Sequence, residues 1–413
     1  MKLEPEKSSS SSRSGAGIWY RAERLTCLDE VRAVAICAMM LIHFGEGFFE
    51  HVPQLAFIHP FLRWSGRFAT PAFVTIFGVT AGFVYFEKLM SGQRQAVDRK
   101  LLRRVALLIL CAAIIRVPHY GELVGDGNFE AMAWLFGTYS ILAYYTLGVA
   151  TVPVWLRIIQ RRPVALCLVL GILHWVIGTI IVFHLWPQSP ELNLVEFVRL
   201  YVVSGSFAYL QLSGTALLGM AIGVALRRSL KARDTERLLA GLFVAAVAMV
   251  AVGWAWGTVL GEYNTKDIID GALKAPPRPW YFLFFAGFTV LLLATLGLAE
   301  YYLAFLQRIR YPVCLFGQAS LPIFTGHVFV LPALKGLDHI VVLDGIVRVL
   351  VPFAMFGVYC LAMMYRRHLK LQMGKPGHEV PRWLALSLLL SPSGPRTGKV
   401  TAEGRKEEAV EVA

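Results

Sequence analysis

Ten continuous apolar runs dominate the chain, at about residues 33–49, 68–86, 105–117, 133–156, 164–185, 202–226, 238–260, 280–299, 313–331 and 349–365, with charged or Pro/Gly-rich joints between them. A helix needs about 20 apolar residues to cross the hydrocarbon core of a bilayer. The runs do not alternate apolar with polar, which excludes a transmembrane barrel, because barrel strands do. Only 16% of residues are charged, against about 25% in a soluble domain. The fold class expected is an all-α integral membrane protein with about ten transmembrane helices. Cytosolic globular, disordered and collagen-like chains are excluded.

The formal net charge of +13 is compatible with nucleic acid, anionic lipid or membrane topology, and its placement decides. With a cytoplasmic N-terminus, the inner segments are 1–32, 86–104, 157–163, 227–237, 300–312 and 366–413. They hold 31 of the 40 Lys and Arg residues. Cytoplasmic loops retain positive charge, so both termini are expected inside, with an even number of spans. Most of the basicity is topology, and no nucleic-acid partner is expected.

Residues 1–24 are polar and Ser-rich, without the apolar core of a signal peptide, and read as a disordered cytoplasmic tail. Residues 25–368 form the expected ten-helix domain. Residues 369–413 read as a second tail whose WLALSLLL stretch is too short to span and suits the interface. None of the six cysteines falls in an outer loop, and no Cys/His spacing suggests a metal.

The chemistry concentrates in the first run. Asp29 and Arg32 sit at its inner lip, and His43 lies deep in an otherwise apolar helix. Eleven residues of helix make three turns plus about 20°, so Arg32 and His43 share one face about 16 Å apart. A cation at the surface with an imidazole below it suits a ligand shaped like coenzyme A, whose phosphates are separated from its thioester by a long pantetheine arm. The imidazole would act as general base toward a hydroxyl, or as a nucleophile. A structural His bonded to a backbone carbonyl is the alternative.

The stretch LDEVRAVAICAMMLIH, an Arg followed after ten residues by a His, resembles the first helix of the acyltransferase-3 family of membrane O-acyltransferases. With Arg24 before it and RFATPAFVTIFGVTAGFVYF (67–86) after it, it is also similar to the heparan-alpha-glucosaminide N-acetyltransferase family. The glucan succinyltransferases are a third relative. The resemblance implies a multi-pass enzyme, expected in a bacterial inner (plasma) membrane. It implies transfer of an acyl group, expected to be acetyl, from acyl-CoA to a carbohydrate or glycolipid acceptor, with Arg32 and His43 at the functional positions. Ala33 stands where the family usually has Gly, and Pro71–Gly78 replaces the usual signature of the second span. These departures bear on the acceptor more than on the catalytic step.

Two further elements resemble parts of the same family. Lys100, Arg103 and Arg104 open the third span; Lys100 and Arg103 stand at the family's Arg-x-x-Arg positions, and the resemblance implies that these cations hold donor phosphates. The topology rule explains such a cluster equally well. The ninth run contains Pro322, which cannot donate to the carbonyl of Gln318, so a break is expected there with Gln318, Ser320, Thr325 and His327 around it. Its GxxSLxIFxxH-like pattern makes His327 the second catalytic candidate. His327 lies about 20 Å along this span, near or beyond the depth of His43.

Other polar residues have ordinary readings. The aromatics of the second span are expected to pack, Thr70, Thr75, Gly78, Thr80 and Gly82 to make helix contacts, and His174 and His184 to be structural. His51, His59, Arg63, Arg67, Arg116, His119, Glu122, Asp126 and Glu130 either ring an acceptor mouth or are solvated loop charges. The rival class is a transporter, for which a broken ninth span is suggestive. Against it, no span carries a mid-membrane carboxylate and the halves show no repeat. Transfer to an amino sugar rather than a hydroxyl is the rival within the enzyme class.

Overall fold

The computed structural model describes residues 25–51, 59–116, 140–186, 194–270, 272–273, 275–303, 307–330, 333 and 345–373. The first expected tail, residues 374–413 of the second, the start of the fourth run and the loop candidates His119, Glu122, Asp126 and Glu130 lie outside the described residues; residues 369–373, expected in the second tail, continue the last helix.

Among the described residues every apolar run is mainly helical, with a non-helical stretch at 205–208, and no β-strand occurs. In chain order the helices are α1 (Thr26–His51), α2 (His59–Gly66), α3 (Ala69–Met90), α4 (Arg94–Arg116), α5 (Ile141–Ile158) and α6 (Pro163–Ile180). After these come α7 (Leu194–Arg199), α8 (Tyr209–Ala232), α9 (Thr235–Val259), α10 (Thr265–Asp270) and α11 (Pro279–Tyr302). The last are α12 (Gln307–Gln318), α13 (Ser320–Gly326) and α14 (Gly345–Met373). Six helical stretches are long and apolar enough to cross a membrane: Pro60–Met90, Ile141–Ile158, Pro163–Leu185, Leu194–Ala232, Thr235–Val259 and Pro279–Tyr302. The protein is therefore a multi-pass, all-helical membrane protein. Of the other four runs, those on α1 and α4 begin with charged turns and the one on α12 and α13 is interrupted. The fourth lies on α14.

The backbones of α3 and α8 almost touch. A Cβ on Gly78 would overlap the carbonyl oxygen of Ala216, one on Gly82 that of Met220, and one on Gly223 that of Val79. Small residues four apart on both helices permit this approach, which is how apolar helices gain packing energy where lipid offers no hydrophobic drive. Gly78 and Gly82 thus play the contact role expected of them. α9 packs along α11, and α6 along α8; on α6 and α9 few side chains are buried, so their aliphatic faces are left to lipid.

Polar contacts join the described parts of the six segments expected to be cytoplasmic. Glu87 of α3 takes Arg227 and Lys231 of α8, and Asp98 of α4 takes Arg157 of α5 at 2.7 Å. Glu30 of α1 holds Arg310 of α12 through two bonds of 2.5 and 2.8 Å, and Glu300 of α11 lies 3.7 Å from the same guanidinium. Arg367 of α14 reaches α1 through Gln318. Glu262, Trp280 and Arg278 gather in the segments assigned to the other side. The six cysteines are all free.

Candidate functional site

The charged end of α1 faces three helices. Asp29 and Glu30 are both buried, and consecutive residues of a helix point about 100° apart, so they serve different neighbours. Glu30 turns to Arg310. Asp29 accepts from Arg32 Nη1 at 2.9 Å on one oxygen and from Gln318 Nε2 at 3.2 Å on the other. The approach of α12 that makes this possible depends on Gly317, where a Cβ would overlap the carbonyl oxygen of Asp29. Gln318 then accepts from Arg367 Nε at 3.0 Å. On its other side Arg32 Nη2 donates to the Thr80 hydroxyl of α3, whose own proton goes to the carbonyl of Ile76 at 2.7 Å. Thr80 is thus a holder of Arg32 rather than the plain helix-contact residue expected.

The basic element of α4 divides. Lys100 and Arg104 lie over the ring of Tyr85, 5.7 and 5.6 Å from its centroid, a cation–π geometry. The buried Tyr85 hydroxyl has no hydrogen-bond partner among the described residues, and both Arg104 and Arg32 act on it electrostatically. A buried donor left without a partner is costly, and the guanidinium groups beside it give this spot a positive potential. Lys100, Arg103 and Arg104 are all exposed, but Arg103 points to another side of α4, and the structure does not bring it to Tyr85. Arg99 turns back along its own helix to Gln95.

The break in the ninth run falls where proline demands it. α12 ends at Gln318, α13 starts at Ser320, and Tyr359 of α14 caps the Pro322 carbonyl at 2.6 Å. The path then tightens into a 3-10 turn over His327–Phe329. This path carries His327 to α1, where its ring centroid lies 5.1 Å from that of His43. His327 is buried, and its Nδ1 is bonded to the carbonyl oxygen of Phe324. A carbonyl only accepts, so Nδ1 carries the proton and the lone pair of the neutral ring is on Nε2. His43 is exposed, so the pair offers one accessible imidazole backed by one fixed imidazole.

Between the two ends of the site runs an aromatic stripe on α3. Phe77 and Phe73 lie one and two turns from Thr80 toward the histidines. Phe77 packs on Tyr145 of α5 at 5.3 Å, and Phe73 on Phe324 at 6.3 Å, which in turn lies 5.4 Å from His327. Arg32 acts electrostatically on the Tyr145 hydroxyl. His174 bonds the Leu170 carbonyl of its own helix at 2.7 Å, as expected of a structural His. Glu30, Arg310, Tyr85 and Arg367 were not singled out by sequence, and Thr80 was expected only as a helix contact. Only the Arg-rich ends of α12 and α14 gave any signal, and topology accounts for those.

The family model for an acyltransferase domain, of the acyltransferase-3 type, matches residues 25–367. The chain belongs to the acyltransferase-3 family. The match covers α1 through the greater part of α14, so the charged end, the broken ninth run and both histidines fall within it. None of the curated proteins and none of the solved structures compared with the chain matches it. This acyltransferase-3 member is therefore a membrane acyltransferase, an enzyme that transfers acyl groups other than aminoacyl groups.

Proposed function

We propose that this acyltransferase takes an acyl group, acetyl in the first instance, from acyl-CoA and delivers it to a hydroxyl of a carbohydrate or envelope glycolipid. In this reading the chain crosses a bacterial inner membrane ten times with both termini in the cytoplasm. The charged end of the bundle then faces the compartment that holds acyl-CoA. The observation that carries the reading is the pairing of His43 with His327 at 5.1 Å, on the helix whose inner end presents Arg32.

Arg32, Lys100 and Arg104 receive the donor diphosphate, with the Tyr85 hydroxyl as a neutral donor beside them. Arg103, which does not lie over Tyr85, serves the approach of the anion rather than its seating. The pantetheine arm follows the Phe77 and Phe73 stripe and brings the thioester to the histidines. There the Nε2 lone pair of His43 takes the acceptor hydroxyl proton as the oxygen attacks the thioester carbon. The carbon–sulfur bond breaks, the new ester forms, and the proton passes to the CoA sulfur. His327, with its Nδ1 proton held by Phe324, orients His43 and shares the proton in transit.

Mass spectrometry of envelope glycans and glycolipids from cells with and without the gene tests this reading. The expected result is loss of one acyl increment from a hydroxyl-bearing sugar. Unchanged ester content contradicts it, and loss of an N-acyl group instead moves the acceptor to an amino sugar.

A further inference from the structure

The Arg32 network has a cationic neighbour that the reading above does not use. On α14, Arg366, Arg367 and Lys370 are half-buried, and their spacing of three and four residues puts Lys370 within a turn of both arginines. Burial, and then the charges of Arg366 and Arg367, hold the Lys370 ammonium below its usual range, so three cations are crowded together beyond the end of this apolar run. Arg367 donates to Gln318 at 3.0 Å, Gln318 donates to Asp29 at 3.2 Å, and Asp29 holds Arg32 at 2.9 Å. An unbroken chain of hydrogen bonds through two side chains therefore links Arg367, at the centre of this cluster, to Arg32. From the opposite side, Arg32 and Arg104 meet at Tyr85, with Lys100 over the same ring. Retention of positive charge on one membrane face explains three cations at a helix end. It does not require Arg367 to be bonded into the network that holds the arginine of the site.

We propose that Arg366, Arg367 and Lys370 form a second phosphate subsite, which takes the 3′-phosphate of the donor while Arg32, Lys100 and Arg104 take its diphosphate. The proposal rests on the acyl-CoA reading and deepens it. Coenzyme A carries two separate anionic groups, a diphosphate within the chain and a phosphate monoester on the ribose. The monoester bears a charge of about −1.5 to −2 and three acceptor oxygens, which suits paired guanidinium groups and one ammonium. Two cation groups flanking one arginine match two anions on one ligand. An anionic lipid headgroup offers the same phosphate chemistry; the hydrogen-bonded link to Arg32 favours the donor.

Equilibrium binding of acetyl-CoA and of 3′-dephospho-acetyl-CoA to the full-length protein tests this, in nanodiscs of zwitterionic lipid and again with anionic lipid. The wild type should bind acetyl-CoA about tenfold or more tightly than the dephospho donor. The double variant Arg366→Gln with Lys370→Gln, which keeps Arg367 and its bond to Gln318, should lose that preference by weakening acetyl-CoA alone. Lys370→Arg should retain it. Equal weakening of both donors, or a preference that survives the double variant, overturns the subsite. A variant effect seen only as weaker dependence on anionic lipid assigns the cations to headgroups and overturns it as well. Failure of the wild type to bind either donor overturns the acyl-CoA reading itself, a result distinct from the others.

Discussion

The imidazole rings of His43 and His327 lie 5.1 Å apart and tilted by 50°, although they come from the first and the ninth apolar runs. Phe324 holds the Nδ1 proton of His327, so this ring presents only its Nε2. Replacing His327 with Ala is expected to lower kcat by about a hundredfold, the scale of a proton-transfer contribution. The KM for acyl-CoA should stay near the wild-type value, because His327 touches no cation of the donor site. Steady-state release of free CoA thiol measures both constants.

Arg32 should show the opposite split. Its two-sided attachment to Asp29 and Thr80 fixes a planar fork, which lysine cannot reproduce. Arg32→Lys and Asp29→Asn are each expected to raise the apparent KM for acyl-CoA by about tenfold, with smaller effects on kcat. A change confined to kcat in either variant would place Arg32 at the reacting centre instead.

The Glu30–Arg310 pair contributes to holding α1 against α12. Breaking it in Glu30→Ala leaves the half-buried Arg310 with Glu300 at 3.7 Å as its remaining carboxylate, a loss of about 2 kcal/mol on the scale of hydrogen bonds to charged groups. The double variant Glu30→Leu with Arg310→Met should recover most of that, because removing both charges also removes their desolvation cost. Thermal unfolding in detergent distinguishes the two outcomes.

The α3–α8 seam makes a cleaner test of packing. Gly78→Ala puts a methyl group into the Ala216 backbone, and overpacking of this kind costs about 1–3 kcal/mol. Gly357→Ala, where a Cβ meets no atom within 4 Å, should leave the melting temperature unchanged or slightly raised. Equal effects at the two positions would contradict the close approach of α3 and α8.

The helices and the Arg32-to-His43 alignment were legible in the sequence because both depend only on local periodicity: a continuous apolar run makes a buried helix, and eleven residues return nearly to the same face. The break before Pro322 was legible for the same reason, since proline lacks a specific donor. The partners of Asp29, Glu30 and Arg32 depend instead on which helices are neighbours. An apolar pattern is the same on every side that faces hydrocarbon and does not encode that order. The one trace of it lay in small residues: Gly78 and Gly82 match Gly219 and Gly223, and Gly317 marks where α12 meets α1. Lys100, Arg103 and Arg104 are all exposed, but Lys100 and Arg104 lie over the Tyr85 ring and Arg103, which matches the family pattern in sequence, does not. A spacing of three or four residues cannot tell which of two adjacent arginines meets a given ring of the neighbouring helix.

The most direct test of the account is release of free CoA thiol from acetyl-CoA by the purified full-length protein with an envelope glycan extract as acceptor, comparing the wild type with His43→Ala. The account predicts acceptor-dependent release by the wild type and none above background by the variant, which should still bind acetyl-CoA with wild-type affinity. Acceptor-dependent release at the wild-type rate by a folded His43→Ala protein would contradict it.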